Sequence, residues 1–151
     1  MTDETTGHVA HAETEISASP EQVWAALTDP EAISAFMFGS RVETDWQVGS
    51  PITWSGEYEG NTFQDKGEIL EVEEPSRLRM THYSPMSGQP DEPESYHRLD
   101  YQLAATDAGT RLTLDQDGND SDEQAEQFAS NWQMMLDQVK EYVEEGRGNQ
   151  G

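Results

Sequence analysis

The stretch S-N-W-Q-M-M-L-D-Q-V-K-E-Y-V-E-E-G at 130–146 limits the possible folds more than any other part of the chain. Advancing about 100° per residue from Phe128, the side chains of Ala125, Trp132, Met135, Leu136, Val139, Tyr142 and Val143 fall within an arc of roughly 120°. One long helix therefore carries one apolar stripe. Gln127, Gln133, Asp137, Lys140, Glu141 and Glu144 occupy the other side, with Met134 off the stripe, and water is expected to face most of that surface. A helix patterned in this way must bury its stripe against another layer.

The sequence before the helix supplies that layer. Residues 1–7 read as a disordered acidic tail and 147–151 as another, leaving one domain over 8–146. H-V-A-H-A-E-T-E-I-S at 8–17 alternates with a short period and reads as a first strand. S-P-E-Q at 19–22 then provides an N-cap serine, a proline at the first helical position and a glutamine three residues after the cap. Val23, Trp24 and Leu27 follow as the buried side of a short helix. Asp29-Pro30 ends it and begins another, carrying Ile33, Phe36 and Met37.

Beyond Gly39 the period changes to two. Val42, Thr44 and Trp46 are expected on one strand face, and Ile52, Trp54 and Tyr58 on the next. A strand over 62–72 follows, in which Gly67 marks a bulge. Leu78, Met80 and His82 share a face, as do His97, Leu99, Tyr101 and Leu103, and finally Leu112, Leu114 and Gln116. Residues 117–121 lead into the capped start of the long helix. Strands grouped in this way make an antiparallel sheet of about six to seven strands and an α+β fold, with the helix lying across the concave face.

Charge narrows the partners. The chain has 31 Asp and Glu against eight Lys and Arg, a formal net charge of −23, spread along its length. Nucleic acid and anionic membranes are poor partners, because little is present to neutralise their phosphates. With Lys66 and Lys140 as the two lysines, the composition reads as adaptation to molar salt, where the Debye length falls to about 3 Å. No run approaches the roughly 18 apolar residues of a membrane span. M-T-D-E-T-T-G-H also lacks the regions of a signal peptide, so a cytoplasmic location without membrane insertion is expected. The absence of cysteine excludes disulfides, thiol catalysis and thiolate metal ligands.

Four blocks carry a family resemblance: E-I-S-A-S-P-E-Q-V-W-A-A-L-T-D-P-E-A-I at 15–33, G-E-I-L-E-V-E-E-P-S-R-L-R-M-T at 67–81, G-T-R-L-T-L at 109–114 and N-W-Q-M-M-L-D-Q-V-K-E-Y-V-E at 131–144. In this order they resemble the START-like, or SRPBCC, superfamily, in the branch related to the C-terminal domain of the activator of the 90-kDa heat-shock-protein ATPase. The resemblance implies a helix-grip fold with a hydrophobic cavity between sheet and helix. Relatives bind lipids, sterols, polyketides or other apolar molecules, and a few are cyclases or dehydratases. Phe36-Met37-Phe38 stands where many relatives carry paired tryptophans, and Gln116 where they often carry His or Glu. That removes a titrating group on which an inherited catalysis would depend.

Strand parity sets Met80 opposite Leu99, Leu78 opposite Tyr101 and His82 opposite His97, so both histidines are expected to point inward. Gln116 reaches the same end. The Pro- and Gly-rich segment 84–94, long for a hairpin, would then gate a polar cluster of His82, His97 and Gln116. Such a cluster can hold a ligand carbonyl or hydroxyl, or exchange protons near neutral pH. The same residues also read as two hydrogen-bonded strand histidines at a sheet rim. A metal would need a third ligand at suitable spacing, which is missing. Trp54, Tyr58, Met80, Leu99, Tyr101, Trp132, Met135 and Leu136 complete the expected lining, or form ordinary core.

No nucleophile elbow or phosphate cradle occurs, and no cofactor is expected. The first expectation is a protein that binds an apolar or amphipathic small molecule, with no catalytic residue assigned. The alternatives are a cyclase or dehydratase-like enzyme using His82 or His97, and a co-chaperone-like interaction module with a homodimeric or chaperone partner.

Overall fold

The alternation and capping signals produce, in chain order, β1 (His8–Ile16), α1 (Pro20–Leu27), α2 (Pro30–Phe36), β2 (Arg41–Glu43), β3 (Pro51–Tyr58), β4 (Asn61–Glu73), β5 (Arg77–His82), β6 (His97–Thr106), β7 (Gly109–Asn119) and α3 (Asp122–Gln150). The computed structural model describes residues 8–36, 40–58, 60–84, 90, 92, 96–119 and 121–150, without the side chains of 58, 61 and 146–150. The expected tail at 1–7 and most of the gating segment at 84–94 lie outside the described residues. Within them, α3 continues to Gln150, into the segment 147–151 expected as a tail.

The strands form a single antiparallel sheet in the order β1-β7-β6-β5-β4-β3-β2. Met80 pairs with Leu99, Leu78 with Tyr101 and His82 with His97, the register that parity requires. At the start of α1, the Gln22 amide donates to Ser19 Oγ at 3.2 Å and the Ser19 amide donates to Gln22 Oε1 at 3.0 Å, closing the capping box. Inward positions of the sheet, among them Ile16, Ile69, Leu112 and Leu114, pack with Leu136 and Val139 of α3 in one core. No helix among the described residues is long and apolar enough to cross a membrane.

Several local expectations are corrected. Strand β2 ends at Glu43, so Thr44 and Trp46 do not extend it. There the Trp46 amide donates to Thr44 Oγ1 and the Gln47 amide to Asp45 Oδ1, local bonds that compete with sheet pairing. Trp46 adopts a left-handed φ of 61°. Strand β7 runs through Asp117 to Asn119, and the cap falls to Ser121, whose Oγ accepts the Gln124 amide. The β4–β5 register shifts between Ile69 and Glu71 rather than at Gly67. Gly67 instead permits a close approach: a Cβ there would stand 1.8 Å from Thr81 O. Tyr142, expected on the buried stripe, is 39% exposed at its edge and meets the Phe36 ring.

The polar side of α3 also departs from the expectation. Strand β1 is a sheet edge, and its outward backbone groups need partners if the edge is not to recruit another strand. Helix α3 provides them. Gln133 accepts from the Glu13 amide and donates to the Glu13 carbonyl. Lys140 Nζ donates to Glu15 O at 2.8 Å, and Glu144 accepts the Ser17 amide at 2.9 Å. Three residues expected to face water thus complete the edge of the sheet.

Candidate functional site

Between the sheet and α3 lies a cavity of about 460 Å³. Its sheet side is formed by Trp54 of β3, Phe63 and Asp65 of β4, His82 of β5, Leu99 and Tyr101 of β6 and Gln116 of β7; Ser40 and Ser84 add hydroxyls. Helix α3 contributes Phe128, Asn131, Trp132 and Met135. The helix spacing of 128, 131, 132 and 135 places these four on one face, because residues three and four apart are neighbours. Asn131 is exposed, and the cavity reaches the surface beside it.

Four polar side chains of the wall form two pairs. Gln116 is buried, and its Oε1 accepts the Trp132 Nε1–H at 2.8 Å, which fixes the indole over the cavity. His82 Nε2 donates to Asp65 Oδ2 at 2.9 Å, and its ring meets Trp54 edge-on with centroids 5.1 Å apart. Asp65 Oδ1 and His82 Nδ1 are enclosed without a hydrogen-bond partner among the described residues. Burial pushes the Tyr101 phenol well above its ordinary value, so it stays a neutral O–H. Among the described residues no Lys or Arg lines the cavity, and no group of three His, Asp or Glu side chains is placed to hold a metal.

Of the residues singled out from the sequence, Trp54, His82, Leu99, Tyr101, Gln116, Trp132 and Met135 come together around this space. His97 does not join them. Its Nδ1 bonds Asp117 O at 2.6 Å, and its ring lies 6.0 Å from Phe128, beyond the cavity wall. Met80 and Leu136 are core, Met80 lining instead a small void of about 20 Å³. The Tyr58 side chain is outside the described residues. The proposed cluster of two histidines and a glutamine therefore resolves into separate pairs.

Asp65 is the charged lining residue absent from the expected set, as are Ser40, Phe63, Ser84, Phe128 and Asn131 among the uncharged ones. Counting back from the fully buried Ile69, positions 67, 65 and 63 share its face of β4, so parity alone carried the signal. In a chain with acids nearly everywhere, one more Asp does not stand out.

With this geometry in hand, comparisons place the chain among known proteins. A family model described as activator of Hsp90 ATPase homolog 1-like protein matches residues 17–144. The solution structure of a protein from Cytophaga hutchinsonii is similar at 39% identity and a TM-score of 0.82, covering 96% of this chain and 99% of that one. An AHSA1-like protein from Aeromonas hydrophila is 25% identical, with a TM-score of 0.71 and coverage of 92% and 94%. The Aha1 dimer from Colwellia psychrerythraea, 18% identical with a TM-score of 0.70 and coverage of 91% and 96%, shares the fold. No curated protein matches the chain.

Proposed function

Because the chain belongs to the family of activator of Hsp90 ATPase homolog 1-like proteins, we propose that it uses the space between sheet and α3 to hold an apolar or amphipathic small molecule. The observation that carries this reading is the cavity of about 460 Å³ walled by aromatic and aliphatic side chains, with a few polar groups at defined places. Ligand sites have this composition: apolar surface supplies most of the affinity, and isolated hydrogen-bonding groups fix orientation. Gln116 and Asp65 are the groups that would orient the ligand; Trp132 and Trp54 are its broad contacts.

The enzymatic alternative draws on the Asp65–His82 pair, since a carboxylate that orients an imidazole is an acid-base arrangement. Enclosure of His82 Nδ1 weighs against it, because that nitrogen has no path to a substrate proton in this geometry. The interaction-module alternative draws on Met134, which is 56% exposed on α3. Met86 and Phe38, the other residues of interest for such a surface, lie outside the described residues.

The test is to purify the protein in multimolar KCl, extract it with organic solvent and search the extract by mass spectrometry for a stoichiometric small molecule. The proposal expects a compound that is absent from a folded Trp132→Glu variant. No such compound from the parent protein, together with no binding of added apolar probes, would favour the interaction module.

A further inference from the structure

Resting on the reading of the cavity as a ligand site, we propose that its occupant is a cationic amphiphile, an amine on an aromatic or alicyclic skeleton whose ammonium lies beside Asp65, and that anionic amphiphiles such as fatty-acid carboxylates are rejected. The first ground is the balance of charge. Asp65 lines the cavity with 16% of its side chain exposed, and no Lys or Arg lines it among the described residues. Its Oδ1, enclosed like His82 Nδ1, has no partner among the described residues, so the carboxylate is held there by the single bond from His82.

His82 does not reverse that balance for an incoming anion. Its Nε2 is engaged by Asp65, its Nδ1 is enclosed, and its ring is held against Trp54. The imidazole therefore has no N–H free to offer a ligand carboxylate. A fatty-acid anion would bring a second negative charge into a space of low dielectric, where like charges interact most strongly.

The second ground is the wall itself. Trp54, Phe63, Tyr101, Phe128 and Trp132 surround the same space. Aromatic faces attract ammonium groups through the ring quadrupole, and more strongly where water is excluded. An amine thus meets a carboxylate and a wall of aromatic rings, whereas an anion meets no Lys or Arg among the described residues.

The experiment uses three probes on one skeleton: biphenylmethylamine, biphenylmethanol and biphenylcarboxylate. Each is titrated into the full chain at neutral pH and one fixed KCl concentration, read by tryptophan fluorescence and calorimetry. The amine is expected to bind on the order of 100-fold more tightly than the carboxylate, with the alcohol between them. Asp65→Asn, which keeps the side chain's size and removes its charge, is expected to bring that ratio below about tenfold. Equal binding of amine and carboxylate by the parent protein overturns the inference while leaving the cavity reading intact. An unchanged ratio in a folded Asp65→Asn protein does the same. Failure of all three probes overturns both. Should the variant not fold, the ratio measured on the parent protein decides alone.

Discussion

Replacing Gly67 with alanine tests how tightly β4 and β5 are locked beside the cavity. The new Cβ would stand 1.8 Å from Thr81 O and 2.6 Å from Thr81 C. Carbon and oxygen tolerate approach to about 3.3 Å, so the strands must separate locally by about 1.5 Å. No rotamer change can absorb this, because the obstructing atoms are backbone and β5 is paired on its other side with β6. The shift would strain the Glu68 amide bond to Thr81 Oγ1 and the mutual bonds of Lys66 and Tyr83.

Overpacking of this kind, together with the weakened bonds, costs roughly 3 kcal/mol. For a domain of this size that lowers Tm by about 6–12 °C. Gly56→Ala is the control. Its Cβ would meet Phe63 ring atoms at 3.1 and 3.2 Å, a side chain that can move, so its cost should stay within about 1 kcal/mol. Urea unfolding followed by circular dichroism at fixed KCl measures both. A Gly67→Ala protein within about 1 kcal/mol of the parent would refute the steric argument.

Two further predictions concern charge. If the acidic composition is an adaptation to salt, Tm should rise steeply from low to multimolar KCl; an unchanged melting curve would remove that reading. At Glu144, the hydrogen bond from Lys140 Nζ and that from the Ser17 amide hold the carboxyl below its ordinary value of 4.5. Its stabilising contribution is therefore complete above that value and is lost as pH falls through the lower, folded-state value. Glu144→Gln should lower Tm at neutral pH and flatten the acid limb of the Tm–pH profile below 4.5, and parallel profiles would contradict it.

The fold was legible because its signals are local and mutually consistent. Ser19, Pro20 and Gln22 announce α1 within four residues, and the period change after Gly39 announces the sheet. Parity was enough to pair Met80 with Leu99 and His82 with His97. What parity cannot convey is where a side chain ends. His97 shares the strand face that His82 occupies, yet it turns to Asp117 O and the Phe128 ring. Gln133, Lys140 and Glu144 look solvated by periodicity alone, because the backbone groups they satisfy belong to a strand more than a hundred residues earlier. Asp65 was obscured differently, by a composition in which an acid at an inward position resembles its many neighbours at outward ones.

The bonds from Gln133, Lys140 and Glu144 to the edge strand also divide α3 into two halves with different work to do. Its C-terminal part is riveted to the sheet along Glu13, Glu15 and Ser17. Phe128 and Asn131, nearer the other end, line open space, and Trp132 is latched there through one indole hydrogen bond to Gln116. His8 Nδ1 donates to Asp122 Oδ1 at 2.7 Å, so the first turn of α3 is tied to β1 as well, and the segment around Trp132 spans two attachments. Loss of the single Trp132–Gln116 bond is therefore expected to loosen the cavity wall between those attachments while the core around Leu136 and Val139 holds.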